Sequence, residues 1–161
     1  MKRREKGFTL IEVIIALVIM VFIIGVGAMT TMSLLMNCQR SSDQNIVLNQ
    51  VQNVGYWISR DVQMAKTVTL DEPGGFPLTL VIPVGTNPDN DYSISYFFDD
   101  NNLKRQVNGS PEMSIAGYID VEDTTFCPVG SNTYRLTIKA SEGEAVVERT
   151  YEISQRISSG S

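Results

Sequence analysis

An α+β fold is predicted for this chain by three features of its sequence. An almost unbroken apolar run extends from Phe8 to Met29. A second stretch, from Val47, repeats apolar residues at spacings of three and four. Everything beyond about residue 70 reads as short strands separated by turns. A long N-terminal helix packed against a small antiparallel β domain satisfies all three.

The first element is the apolar run. As a helix, Phe8 to Met29 covers about 30 Å, enough to cross a bilayer. Lys2, Arg3, Arg4 and Lys6 all precede it, so the short end is expected in the cytoplasm and the bulk outside, on a single-pass inner membrane anchor embedded in lipid. One carboxylate, Glu12, lies inside the run, where a charge costs on the order of 2–3 kcal/mol and less near the membrane edge. A secretory signal is an alternative, because Val26-Gly27-Ala28 has the small residues of a cleavage site. Against it, the run exceeds the usual length of about 7–15 residues. It also holds Glu12, and apolar residues resume at Leu34-Leu35-Met36. A plain anchor is a further alternative, and neither accounts for the residues around Gly7.

Those residues, Gly7-Phe8-Thr9-Leu10-Ile11-Glu12-Val13, resemble the cleavage and methylation motif of type IV pilins and pseudopilins, over roughly the first thirty residues. The resemblance implies a pilin-like fold and a prepilin peptidase that cuts between Gly7 and Phe8. The same enzyme would methylate the new terminus at Phe8, and Glu12 would be the assembly carboxylate. Other pilin or pseudopilin subunits would be partners through the N-terminal helix. Physical reasoning supports that division of labour. A cleaved Phe8 bears an α-amino group about one helical turn from Glu12. The amine of one chain can meet the carboxylate of its neighbour, offsetting the desolvation of each. Such a pair sets register, as one buried polar residue does in a coiled coil. The bland alternative is a charge solvated by headgroups.

Next comes an amphipathic helix. Val47, Val51, Val54, Ile58, Val62 and Ala65 form one stripe, widened by Tyr56 and Trp57, while Gln52, Asn53, Arg60 and Asp61 occupy other faces. The stripe is core for the outer domain, and the helix reaches about Lys66. Ser41-Ser42-Asp43 is either a helix start or a polar stretch inside one long helix. Gly74-Gly75, beside two prolines, is a loop at the helix-to-sheet junction.

Strands follow. Leu78 to Ile82 is closed by Pro83, and a loop spans Gly85 to Asp91. Tyr92 to Phe98 alternates and pairs with Leu103 to Val107 across the turn Asp99-Asp-Asn-Asn102. Asn108-Gly109 is a second turn signal. Ile115 to Val121 and Thr124 to Cys127 are further strand candidates. Tyr134 to Lys139 and Ala145 to Ile153 flank Ser141-Glu-Gly-Glu144 as a last hairpin. The expected segments are thus a cytoplasmic leader (1–7), a transmembrane assembly helix (8–36), its amphipathic continuation (37–69), an antiparallel β domain (70–157) and a mobile tail (158–161).

Two internal segments, Trp57-Ile-Ser-Arg-Asp61 and Ile94 to Arg105, resemble parts of minor pilins and pseudopilins of the W and J kinds. That implies a subunit near a filament tip that helps to start assembly. The span also lacks the proline that major pilins often carry. Without the resemblance, Arg60-Asp61 is a solvated helix face and Leu103-Lys-Arg105 an ordinary hairpin strand.

Composition excludes several classes. The chain has 161 residues, a net charge of −5, two cysteines and no histidine. No basic footprint for nucleic acid is present in the outer part. Without histidine there is no Ser-His or Cys-His pair, and no phosphate-cradling loop appears, so no enzyme and no cofactor are expected. Two cysteines do not make a zinc site. Asp89-Asn-Asp91 and Asp99 to Asn102 offer oxygen ligands for calcium, but neither follows the EF-hand pattern and both suit turns. Cys38 and Cys127 are either a disulfide or two free or buried thiols. The expectation that the resemblance carries is a minor pilin or pseudopilin of a type IV pilus-like or type II secretion-like filament. The alternative is a membrane-anchored binding module, an adhesin or DNA-uptake receptor, that does not polymerise.

Overall fold

A computed structural model describes residues 9–71 and 74–156. The expected cleavage and methylation positions, Gly7 and Phe8, and the tail 158–161 lie outside the described residues. Helix α1 runs over Leu10–Met64, and eight strands follow: β1 (Thr67–Leu70), β2 (Leu78–Ile82), β3 (Tyr92–Asp99), β4 (Asn102–Val107), β5 (Met113–Ala116), β6 (Thr125–Pro128), β7 (Thr133–Glu142) and β8 (Ala145–Ser154). The architecture is α+β, a long N-terminal apolar helix followed by antiparallel sheets. The chain divides into two compact units, one ending at Ser41 and one beginning at Ser42.

The first unit is helix alone, and every described residue in it is exposed. It is long and apolar enough to cross a membrane by length and composition. Three hydroxyls in and just after the apolar run are internally satisfied. Thr30 and Thr31 Oγ1 donate to the Val26 and Gly27 carbonyls at 2.9 Å, and Ser33 Oγ donates to the Met29 carbonyl at 3.1 Å. These i−4 bonds let polar side chains sit in an apolar segment without an outside partner. Ser41-Ser42-Asp43 does not start a helix; it lies inside α1.

In the second unit the remainder of α1 packs on two sheets. One is a five-stranded meander, β1-β2-β3-β4-β5; the other is three-stranded, β6-β7-β8; every pairing is antiparallel. The expected stripe is the helix side of the core: Val47, Val51, Val54, Ile58 and Val62 are fully buried. Opposite it are Leu78, Leu80, Ile94, Leu103, Leu136 and Ile138, also with no exposed surface. Each such side chain contributes about 1.5–3 kcal/mol on burial.

Both foreseen hairpins form. Asp99 pairs with Asn102 across Asp100-Asn101, with Asp100 at φ 52°. Glu142 pairs with Ala145 across Gly143-Glu144, with Gly143 at φ 58°. These left-handed residues are what two-residue hairpin turns require.

Three boundaries differ from the sequence reading. Helix α1 stops at Met64 rather than near Lys66, and Thr67 to Thr69, placed by sequence in the helical segment, belong to strand β1, just before which Lys66 N–H donates to the Val81 carbonyl at 2.8 Å. The β-branched Thr67-Val-Thr69 prefers the half-buried edge of a sheet to a helix end. The expected strand over Ile115 to Val121 stops at Ala116, because Tyr118 turns at φ 60°. Beyond it, Ile119 bridges to Ala140 and Ser141 N–H donates to the Tyr118 carbonyl at 2.9 Å, which ties the two sheets together. A second tie runs from Phe126 N–H to the Gly74 carbonyl at 2.7 Å. Gly75 permits it: its φ is 87°, and a Cβ there would collide with the Phe126 carbonyl.

Candidate functional site

The N-terminus of α1 is built around Thr9 and Glu12. Thr9 N–H and Thr9 Oγ1 both donate to Glu12 Oε2 at 3.0 Å, and Glu12 N–H points back at Thr9 Oγ1 at 3.4 Å. This is a reciprocal capping box: the residue before the helix and the third residue within it satisfy each other's free donors. The carboxylate also sits at the positive end of the helix dipole. Sequence reasoning gave Glu12 only an intermolecular partner. Thr-x-x-Glu ahead of an apolar run was the missed signal. Glu12 is exposed, on the helix face shared with Val13, Ala16, Leu17 and Met20. Among the described residues only Oε2 is engaged, so Oε1 can accept a further cation.

A second polar centre lies in the core. Asp61 is only 1% exposed. Tyr96 Oη donates to its Oδ2 at 2.5 Å, and Arg105 Nε donates to the same oxygen at 2.8 Å. The Arg105 guanidinium lies 5.0 Å from the Trp57 ring centroid, and that of Arg60 lies 5.6 Å from it. Burial, reinforced by the Asp61 charge, pushes the Tyr96 phenol well above its ordinary range. For Arg105, partial burial opposes the charge, but the hydrogen bond and charge of Asp61 outweigh it and raise its pKa.

This corrects the expectation that Arg60-Asp61 is a solvated face. Arg60 is exposed and Asp61 is not. The helical phase contained the signal, since 47, 51, 54, 58, 61 and 65 continue one alternation of four and three; sequence reasoning took Val62 and passed over Asp61. The segments 57–61 and 94–105 meet here, Trp57 and Asp61 from one, Tyr96 and Arg105 from the other.

Two further helix side chains bind the end of the larger sheet. Asn53 Nδ2 donates to the Ile115 carbonyl at 2.5 Å, and Gln50 Oε1 accepts from Gly117 N–H at 3.0 Å. Cys38, in the first unit, and Cys127, in the second, are each exposed rather than buried. Asp89 lies in a 3₁₀ turn over Pro88–Asn90, where its N–H donates to Asn87 Oδ1 at 3.1 Å, and Asp91 Oδ1 accepts from Val84 N–H at 3.2 Å. The Asp91 carboxylate thus serves its own loop.

A family profile described as the prokaryotic N-terminal methylation motif matches residues 2–28. The match spans the basic leader, Gly7, Phe8, the Thr9–Glu12 cap and most of the apolar run. No curated protein and no solved structure matches the chain. The N-terminal segment therefore carries the signature of type IV pilin-like, processed subunits.

Proposed function

We propose that the chain is a minor pilin or pseudopilin, a structural subunit of a type IV pilus-like or type II secretion-like filament. It inserts in the inner membrane with the leader (1–7) in the cytoplasm, residues 8–36 in lipid and the β domain outside. Prepilin peptidase cuts between Gly7 and Phe8 and methylates Phe8. The helix then leaves the bilayer by packing against the helices of neighbouring subunits.

One observation carries this reading: a carboxylate set in the otherwise apolar, exposed first stretch of α1, within a segment that matches the methylation motif. Thr9 holds Glu12 Oε2 and leaves Oε1 for the amine of an adjoining chain. An ion pair out of water is stable only when its remaining hydrogen bonds are made, and the cap supplies two of them. The W and J kinship is supported by the meeting of its two segments at Asp61, which gives them a physical reason to occur together.

Two substitutions separate charge from cap. Glu12→Gln retains the capping geometry but not the charge; Glu12→Ala removes both. Both variants should insert in the membrane, and both should be lost from sheared filaments. Normal incorporation of Glu12→Gln would refute the pairing. Absence of the native chain from filaments would leave the membrane-anchored binding module as the better reading.

A further inference from the structure

Strand β8 ends the three-stranded sheet, and among the described residues no strand pairs with its outer edge. The two-residue turn and the bond from Gln155 N–H to the Asn132 carbonyl, 2.8 Å, fix the phase of the ladder: odd-numbered residues of β8 bond to β7. The N–H and C=O groups of Val146, Glu148, Thr150 and Glu152 therefore point away from it. In that same phase Arg156 N–H donates to the Gln63 carbonyl of α1 at 3.2 Å. The open edge thus leads onto the helix.

Beside the edge lies a groove of about 610 Å³, lined on the helix side by Gln52, Tyr56, Ser59 and Arg60 and on the other by Tyr151 and Arg156. Tyr56 is 61% exposed. Gly55 lets the Tyr151 ring approach α1, since a Cβ there would lie 2.5 Å from the ring.

Charge selects the occupant. In the second unit Lys66, Lys104, Arg105, Arg135 and Lys139 each face a carboxylate. Arg60, Arg149 and Arg156 have no carboxylate partner among the described residues. Arg60 and Arg156 line the groove, and Arg149 stands on β8 two residues before Tyr151, on the same face of the strand. In a chain of net charge −5, the unneutralised cations of this unit gather along one edge.

We propose that this edge and groove form a strand-addition site for an extended acidic segment of a partner protein. Its backbone continues the sheet beyond β8, and its alternate side chains place carboxylates at Arg60, Arg149 and Arg156. A second copy of β8 is a poor occupant. Antiparallel registers centred on Arg149 or Thr150 set Arg149 against Arg149 or Glu148 against Glu152. The inference goes beyond filament assembly and holds whether or not the chain polymerises.

The test uses the full chain in detergent micelles and a fluorescent peptide of the length of β8 that alternates glutamate and valine. Saturable binding is expected, weakened about tenfold or more by Arg60→Glu with Arg156→Glu. It should be lost when the peptide backbone is N-methylated on its pairing edge. On the unmodified protein, bound peptide should slow amide exchange at Glu148 and Thr150 and leave Arg149 and Tyr151, already bonded to β7, unchanged. Equal binding of the N-methylated peptide, unchanged exchange at Glu148 and Thr150, or no saturable binding would overturn the proposal. So would displacement of the peptide by a single-stranded oligonucleotide that binds more tightly, which would assign the arginines to a nucleic acid.

Discussion

Asp61 shows how one residue can organise a domain. Its carboxylate is buried, and it is affordable there because Arg105 and Tyr96 both donate to one of its oxygens. Removing one partner of such a pair leaves the other charge buried and uncompensated. Asp61→Ala should therefore cost about 3–5 kcal/mol. Urea unfolding followed by the fluorescence of Trp57, the chain's single tryptophan, reads this directly, since Arg105 lies over that ring. Tyr96 adds a pH dependence. Its folded pKa is raised by burial first and by Asp61 second, so the folded state holds the phenolic proton more tightly than the unfolded chain. That stability is fully present below the unfolded value, near pH 10, and is lost as pH rises beyond it. Melting temperatures should fall between pH 9 and pH 11 in the native protein and fall less in Tyr96→Phe, which has no proton to lose there. Asp61 was visible in the helical phase yet read as solvated, because charged residues are buried only when a distant partner arrives, and Arg105 is 44 residues away.

At the scale of the elements, local chemistry was the better guide. The two hairpins were legible because Asp100 and Gly143 accept left-handed backbone, a preference that needs no knowledge of the rest of the chain. The amphipathic stripe was legible because periodicity survives in a contiguous helix. Strand β1 was not: four residues after a helix acquire strand geometry only by pairing with β2. The Gly74-Gly75 loop was recognised as a loop, but its contact with β6 was not. Gly75→Ala should destabilise the domain by about 2 kcal/mol or more, because the new Cβ meets the Phe126 carbonyl at an unfavourable φ. A matching shift of the urea midpoint checks this; an unchanged midpoint would mean that the loop re-forms without its bond to Phe126. At the head of α1, Thr9→Val removes the hydroxyl that donates to Glu12 Oε2, leaves the backbone N–H in place, and should cost about 1 kcal/mol of helix-end stability. Faster amide exchange over Leu10 to Val13 would report it.

Taken as a whole, the molecule divides its labour along the chain. The apolar segment has nothing buried and one carboxylate at its head; the unit from Ser42 onward has an ordinary core and a buried ion pair. The first was readable at once, since a span with an internal glutamate has few uses. The division of the strands into two sheets was not, because the ties at Ile119, Tyr118 and Gly74 join residues far apart in sequence. Cleavage beside Phe8 and assembly through Glu12 are the two steps on which the proposed function depends. The most direct test is the intact mass of the chain recovered from sheared filaments. A chain that begins at Phe8 and carries one added methyl group is predicted; a chain that retains Met1 to Lys6, or one trimmed after Ala28, would contradict it.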